Sequence, residues 1–213
     1  MTRLLIVRHG ETTWNRTGRL QGRSAAPLTQ RGRGQGRAVA ARLRSARLSH
    51  AYCSDTVRTV QTLELVLAGN TVPTTRTDLV AEMDLGGWQG LTFAEVAAVW
   101  PEAHQHFWDE PNAYCSPAGG ESFADLRARA DAALATIVEA NPVGDVLVVT
   151  HSLVIKAFWL VVTHRPVADF WATAEFAPGG LTVLHANAGD MAFHVLNDMT
   201  HLEPVEAAKG SSS

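Results

Sequence analysis

The sequence predicts an α/β protein, a three-layer αβα sandwich built on a mainly parallel sheet with an antiparallel edge. Two observations carry that prediction. Short apolar runs alternate with helical patterns along most of the chain, as they do when helices cover both faces of a parallel sheet. The last two strand-like runs stand close together across Gly189-Asp190, which reads as an antiparallel hairpin. The elements follow in order. Residues 3–7 form the first strand, ending in the polar turn Arg8-His9-Gly10-Glu11-Thr12. Thr29 is placed to cap a helix to about Arg47 that buries Ala38, Val39 and Leu43. A second strand runs from His50 to Cys53. A helix from about Thr56 turns Val57, Val60 and Leu63 inward, and a strand lies near Val72–Arg76. Ser122 opens a long helix to about Ala140. Asp145–Val149 is another buried strand, ending at Thr150-His151, and a helix from Ser152 to about Thr163 follows. Leu181–His185 and Met191–Leu196 make the hairpin.

The segment from about 84 to 120 differs in character. It holds three of the six tryptophans, several Gly and Pro residues, and Thr92-Phe93-Ala94-Glu95, which has capping-box spacing. It reads as an insertion of short helices covering the active-site crevice. Residues 1–203 are therefore taken as a single domain. Residues 204–213, ending Lys209-Gly210-Ser211-Ser212-Ser213, have the composition of a flexible tail.

Composition narrows the function. A chain of 213 residues with 46% hydrophobic residues has the size and core of one globular domain. A net charge of −3 argues against a general nucleic-acid binder. Cys53 and Cys115 lie far apart, without metal-ligand spacing. No run reaches membrane-spanning length, and the N-terminus does not read as a leader. The expectation is a cytoplasmic protein with no membrane partner and an oligomeric state left open, a homodimer among the options.

The chemistry lies where strands end. Residues at the carboxyl end of parallel strands face the ligand crevice of such sheets. Two strands deliver a histidine there, His9 and His151. A third, ending Cys53-Ser54-Asp55, places Arg58 in the first turn of its helix. Two imidazoles with the guanidiniums of Arg8 and Arg58 suit phosphoryl transfer through a phosphohistidine better than acyl transfer. A leaving alkoxide needs a proton, and Glu82 is the candidate acid, with Asp84 as the fallback. His104 and His106, two apart, do not share a helix face. His164, His185 and His194 read as structural, and Phe107 and Trp108 as core side chains, unless the insertion turns some of its apolar residues to the pocket. The run Arg31-Gly32-Arg33-Gly34-Gln35-Gly36-Arg37 reads as a solvated helix face. It follows no strand, as a dinucleotide loop would. Its three glycines weaken a helix, and the sequence offers no reason for them.

These motifs together resemble the histidine phosphatase superfamily, also called phosphoglycerate mutase-like. The match runs through Leu5-Ile6-Val7-Arg8-His9-Gly10-Glu11-Thr12 with Trp14-Asn15, Gly18-Arg19-Leu20-Gln21-Gly22 and Pro27-Leu28-Thr29. It continues through Ser54–Thr62, Glu82 with Gly86–Gly90, Gly120-Glu121-Ser122, Val148–His151, and Asn197-Asp198 ahead of His201-Leu202. The resemblance implies that His9 is the phosphorylated nucleophile and that Arg8, Arg58 and His151 complete the phosphate pocket. Glu82 becomes the proton donor and acceptor. Gly10, Asn15, Gln21, Gly22 and Ser152 are expected to bind substrate. It implies no metal and no cofactor, and a small phosphorylated metabolite as partner. The short stretch between Glu82 and His151, with His104–Pro111, looks like that of bacterial broad-specificity phosphatases of the PhoE type. The expected activity is therefore phosphomonoester hydrolysis. Mutase-type transfer and a catalytically silent phosphate-binding module are the alternatives. The chain departs from the family pattern in two places. Ser152 follows the second histidine where glycine is usual, and Ala25-Ala26 stand where an acidic residue is common.

Overall fold

The computed structural model describes residues 1–187 and 189–202. The expected tail, 204–213, lies outside the described residues. Strand β1 (Thr2–Arg8) leads into a one-turn helix α1 (Thr13–Arg16) and then α2 (Gln30–Arg42). Next come β2 (Leu48–Cys53), α3 (Val57–Leu67) and the short β3 (Thr74–Arg76). The inserted helices α4 (Phe93–Val99) and α5 (Pro101–Asp109) precede the long α6 (Phe123–Ala140). The chain continues with β4 (Gly144–Thr150), α7 (Ser152–Val162), β5 (Leu181–Asn187) and β6 (Asp190–Asp198).

The sheet order is β3-β2-β4-β1-β5-β6. The first four strands are parallel, and β5 and β6 form the expected antiparallel edge. Successive side chains on a strand point to opposite faces, and both faces of β1 are covered. Leu4 and Ile6 pack in a core with Leu126, Leu134, Val154 and Phe158 of α6 and α7. Leu5 and Val7 pack in a second core with Val39, Leu63 and Val66 of α2 and α3. This two-sided burial is why the strand reads as a continuous apolar run.

Caps set the helix starts. Thr29 accepts from the Gly32 N–H, and Thr92 and Ser122 each form a capping box, with Glu95 and Asp125. Helix α2 stops at Arg42 rather than near Arg47. Leu43 turns inward as its cap, and the Arg47 N–H bonds the Asp145 carboxylate as the chain enters β2. In α3 the buried stripe is Arg58, Thr59, Thr62, Leu63 and Val66, while Val57 is exposed and Val60 only half-buried. Leu63 and Val60 thus face the core as expected, Val57 does not, and polar residues that serve the crevice share the buried stripe.

The Gly-Arg run is not a solvated face throughout. Gly32, Gln35 and Gly36 are buried, while Arg33 and Arg37 stay exposed. A Cβ on Gly32 would lie 2.1 Å from the Glu11 carbonyl oxygen, and one on Gly36 would lie 3.0 Å from Leu65. The glycines let α2 pack against the β1–α1 turn and α3.

Candidate active site

The sheet register assembles the site. Arg8 is level with Thr150, and Cys53 with Val149. The residues that follow, His9, His151 and Ser54, therefore emerge together at one edge. The His9 N–H bonds the Thr150 carbonyl at 3.0 Å, so the loop after β1 is tied to the end of β4. A cavity of about 310 Å³ opens there. Arg8, His9, Asn15, Gln21, Gly22, Arg58, Glu82 and Ser152 all line it, eight of the ten residues expected at the site.

The geometry fixes the state of His9. Its Nδ1 lies 2.8 Å from the Gly10 carbonyl oxygen. A carbonyl only accepts, so Nδ1 carries the proton and Nε2 keeps its lone pair. Burial, then Arg58, then Arg8 hold its pKa well below the usual histidine value. The ring is 2% exposed and neutral at physiological pH.

Glu82 shifts the other way. Burial raises its pKa above the ordinary carboxylate value, against the opposing pull of the Met83 N–H, Arg58, Arg8 and the Leu153 N–H. The Met83 N–H bonds Oε1 at 3.0 Å. Asp84, the fallback acid, does not line the cavity. Its Oδ1 accepts from the Gly86 N–H in a turn.

The two arginines differ. Arg8 donates from Nη1 to the Phe176 carbonyl, while its buried Nε has no protein partner among the described residues. That donor is available to an anion. Arg58 is wholly buried and braces the wall. It donates to the carbonyls of Ser24 (2.8 Å) and Gly22 (2.5 Å) and, through Nε and Nη2, to His151 Nδ1. Of five guanidinium donors, this leaves one Nη1 proton for a ligand.

Two expected residues stand back from the cavity. His151 is fully buried, with Nδ1 accepting from Arg58 and Nε2 2.7 Å from Ser54 Oγ. Its ring meets that of His9 edge-on, with centroids 5.2 Å apart. It fixes Arg58 and the neighbouring ring rather than lining the cavity. Gly10 is a packing residue. Its N–H bonds Thr62 Oγ1, and an added Cβ would lie 2.4 Å from the Gly32 carbonyl oxygen. The departures from the family pattern are local. Ser152 begins α7 at the cavity wall, and Ala26 is buried away from it.

Sequence reasoning missed part of the wall. Phe93, Phe107 and Trp108 from the insertion line the cavity, as do Arg19, Lys156, Trp171 and Glu175. The expectation of Phe107 and Trp108 as core side chains holds for Phe107, 2% exposed at the cavity's edge, and fails for Trp108, 40% exposed. The signal for Lys156 was present, because it is a lone cation in the apolar helix Leu153–Val162. Trp171 and Glu175 lie in a stretch with no motif. His104 meets the Phe93 ring rather than an ion, and His185 stacks on His194 at the sheet edge.

A neutral imidazole beside guanidinium donors and a carboxyl whose pKa burial raises, at the carboxyl ends of parallel strands, is the equipment of a phosphoryl-transfer protein. The chain belongs to the histidine phosphatase superfamily (branch 1), whose family model matches residues 4–199. It is 33% identical over 207 residues to the metal-independent phosphoserine phosphatase of Arabidopsis thaliana, covering 96% of this chain and 85% of that one. It is 34% identical over 204 residues to phosphoglycerate mutase-like protein 4 of the same plant, covering 94% and 86%. Among solved structures, Bacillus stearothermophilus YhfR superposes with a TM-score of 0.91 at 33% identity, over 95% of this chain and all of that one.

Proposed function

We propose that this protein hydrolyses small phosphomonoesters through a phosphoryl group carried on His9 Nε2. The tautomer of His9 carries the reading. The Gly10 carbonyl fixes the proton on Nδ1, so the lone pair belongs to Nε2. The substrate phosphate takes the unpartnered Arg8 Nε and the remaining Arg58 proton. Nε2 attacks phosphorus, the P–N bond forms and the P–O bond to the leaving group breaks. Glu82 passes its proton to the departing oxygen. In the second step the Glu82 carboxylate takes a proton from water, the water oxygen bonds phosphorus, and the P–N bond breaks. Inorganic phosphate leaves, with His9 neutral and Glu82 protonated again.

Residues 1–203 act as one catalytic domain of the PhoE-type broad-specificity kind, whose helical insertion brings Phe93, Phe107 and Trp108 to the cavity wall. Its partners are small phosphorylated metabolites rather than nucleic acid. A cytoplasmic site of action fits the free thiols of Cys53 and Cys115, which persist where the medium is reducing. The relative named for phosphoserine makes that ester a natural first substrate.

Brief incubation with substrate, quenched in alkali, tests the mechanism. The expected result is an acid-labile phosphoryl group on His9, release of inorganic phosphate, and loss of both in His9→Ala. Labelling on His151, or on no histidine, overturns it.

A further inference from the structure

Lys156 is 1% exposed and belongs to the cavity wall, yet the phosphoryl-transfer chemistry above does not use it. A buried ammonium is costly unless paired. Its Nζ donates to the Ala174 carbonyl and to Glu175 Oε1, both at 3.1 Å, and lies 5.3 Å and 5.9 Å from the ring centroids of Trp171 and Phe176. The two partners of the ion pair differ sharply. The Glu175 side chain is 85% exposed, so the bond holds a carboxylate that water already solvates. The ammonium needs a partner there, but that partner need not be Glu175. The cavity thus holds a built cation with a solvated carboxylate on it.

We propose that Lys156 selects substrates by pairing with a carboxylate on the leaving group, and that Glu175 occupies this place until substrate displaces it. The placement follows from α7. Ser152 lies at the start of that helix, next to His151, and Lys156 follows four residues later on the same face. The axial rise between them is about 6 Å, and both line the one cavity that His9, Arg8 and Arg58 also line. An ammonium at this place can pair with a carboxylate on the leaving group through a charge-assisted hydrogen bond. The aromatic faces of Trp171 and Phe176 shield the ammonium and favour a cation there. The inference deepens the phosphatase reading, because it assumes that the phosphate lies at His9.

Binding to the His9→Ala protein tests it without turnover, so failure of the hydrolytic mechanism and failure of this proposal give separate results. 3-Phosphoglycerate and glycerol 3-phosphate differ only in a carboxylate against a hydroxymethyl group. By calorimetry the first is expected to bind at least tenfold tighter, and adding Lys156→Met is expected to bring the ratio near one. A missing preference, or Lys156→Met weakening both ligands equally, overturns the proposal. Glu175→Gln gives an independent reading at an exposed position. It removes the competing carboxylate, so 3-phosphoglycerate is expected to bind several-fold tighter with the ratio increased. An unchanged ratio there also counts against Lys156 as the selector.

Discussion

Glu82 lies next to Met83 in the chain, yet its carboxyl reaches the same cavity as His9. Desolvation is the largest influence on it, outweighing the attraction of Arg58 and Arg8. Its protonated form therefore persists to higher pH than that of a free glutamate, which suits a general acid. Two outcomes follow for the phosphorylation step, read from burst kinetics. Glu82→Gln is expected to slow an alkyl phosphate by about 10²–10⁴-fold, the usual contribution of general acid catalysis. An aryl phosphate with an acidic phenol, whose anion leaves unaided, is expected to slow far less. In the wild type, the alkyl ester is expected to lose rate as pH rises through the raised Glu82 pKa, while the aryl ester shows no such limb. Equal slowing of both esters would reduce Glu82 to a wall residue. Sequence alone placed this carboxylate ahead of Asp84, with no geometric reason for the order. What separates them is burial: Asp84 spends its oxygen on the Gly86 turn, and the sequence does not encode which carboxyl faces the cavity.

At the scale of elements, α2 makes the sharpest test, because local propensity and packing disagree there. Replacing a helical glycine by alanine ordinarily gains about 1 kcal/mol. At Gly32 the new Cβ would meet the Glu11 carbonyl oxygen at 2.1 Å and its amide nitrogen at 2.8 Å. Backbone cannot move aside as a side chain can, and overpacking of this kind typically costs about 1–3 kcal/mol. Gly32→Ala is therefore expected to lower the unfolding midpoint in urea, against its helix propensity. The loop it presses on carries His9 and Gly10, so activity is expected to fall with stability. A Gly32→Ala protein as stable as the wild type would refute the close approach. The same helix shows what the sequence made legible. Caps and apolar periods located α2, α4 and α6, because those signals are local. The reason for the glycines was not legible, because it lies in a contact between residues some twenty positions apart. Helix α3 was legible in part for the same reason. Leu63 and Val60 face the core, but the burial of Arg58, Thr59 and Thr62 was not legible, because their hydrogen bonds to Gly22, Ser24, His151, Ser54 and Gly10 need the assembled crevice.

For the whole molecule, the site makes folding itself sensitive to acid. His9 and His151 adjoin in a crevice that also buries Arg58 and half-buries Arg8. Burial, then Arg58, hold both imidazoles well below the usual histidine pKa, and each ring sits in the field of Arg8 as well. In the unfolded chain each titrates near the ordinary value of about 6.5. The native state therefore binds fewer protons than the unfolded state below that pH. Stability from this source is fully present above about pH 6.5 and is lost as pH falls toward the folded values, by about 1.4 kcal/mol per pH unit for each group. His201, also held low by burial, adds in the same direction. Glu82 opposes it, because a raised carboxyl pKa gives stability that is present at low pH and lost as pH rises through it. Two histidines against one carboxyl decide the sign. Between pH 7 and pH 5 the urea midpoint of the wild type is expected to fall. His9→Asn, which removes one of the two buried rings and leaves a neutral polar group, is expected to flatten that fall. Parallel curves for the two proteins would mean that His9 titrates alike folded and unfolded. The neutral imidazole required for attack on phosphorus would then lose its physical basis.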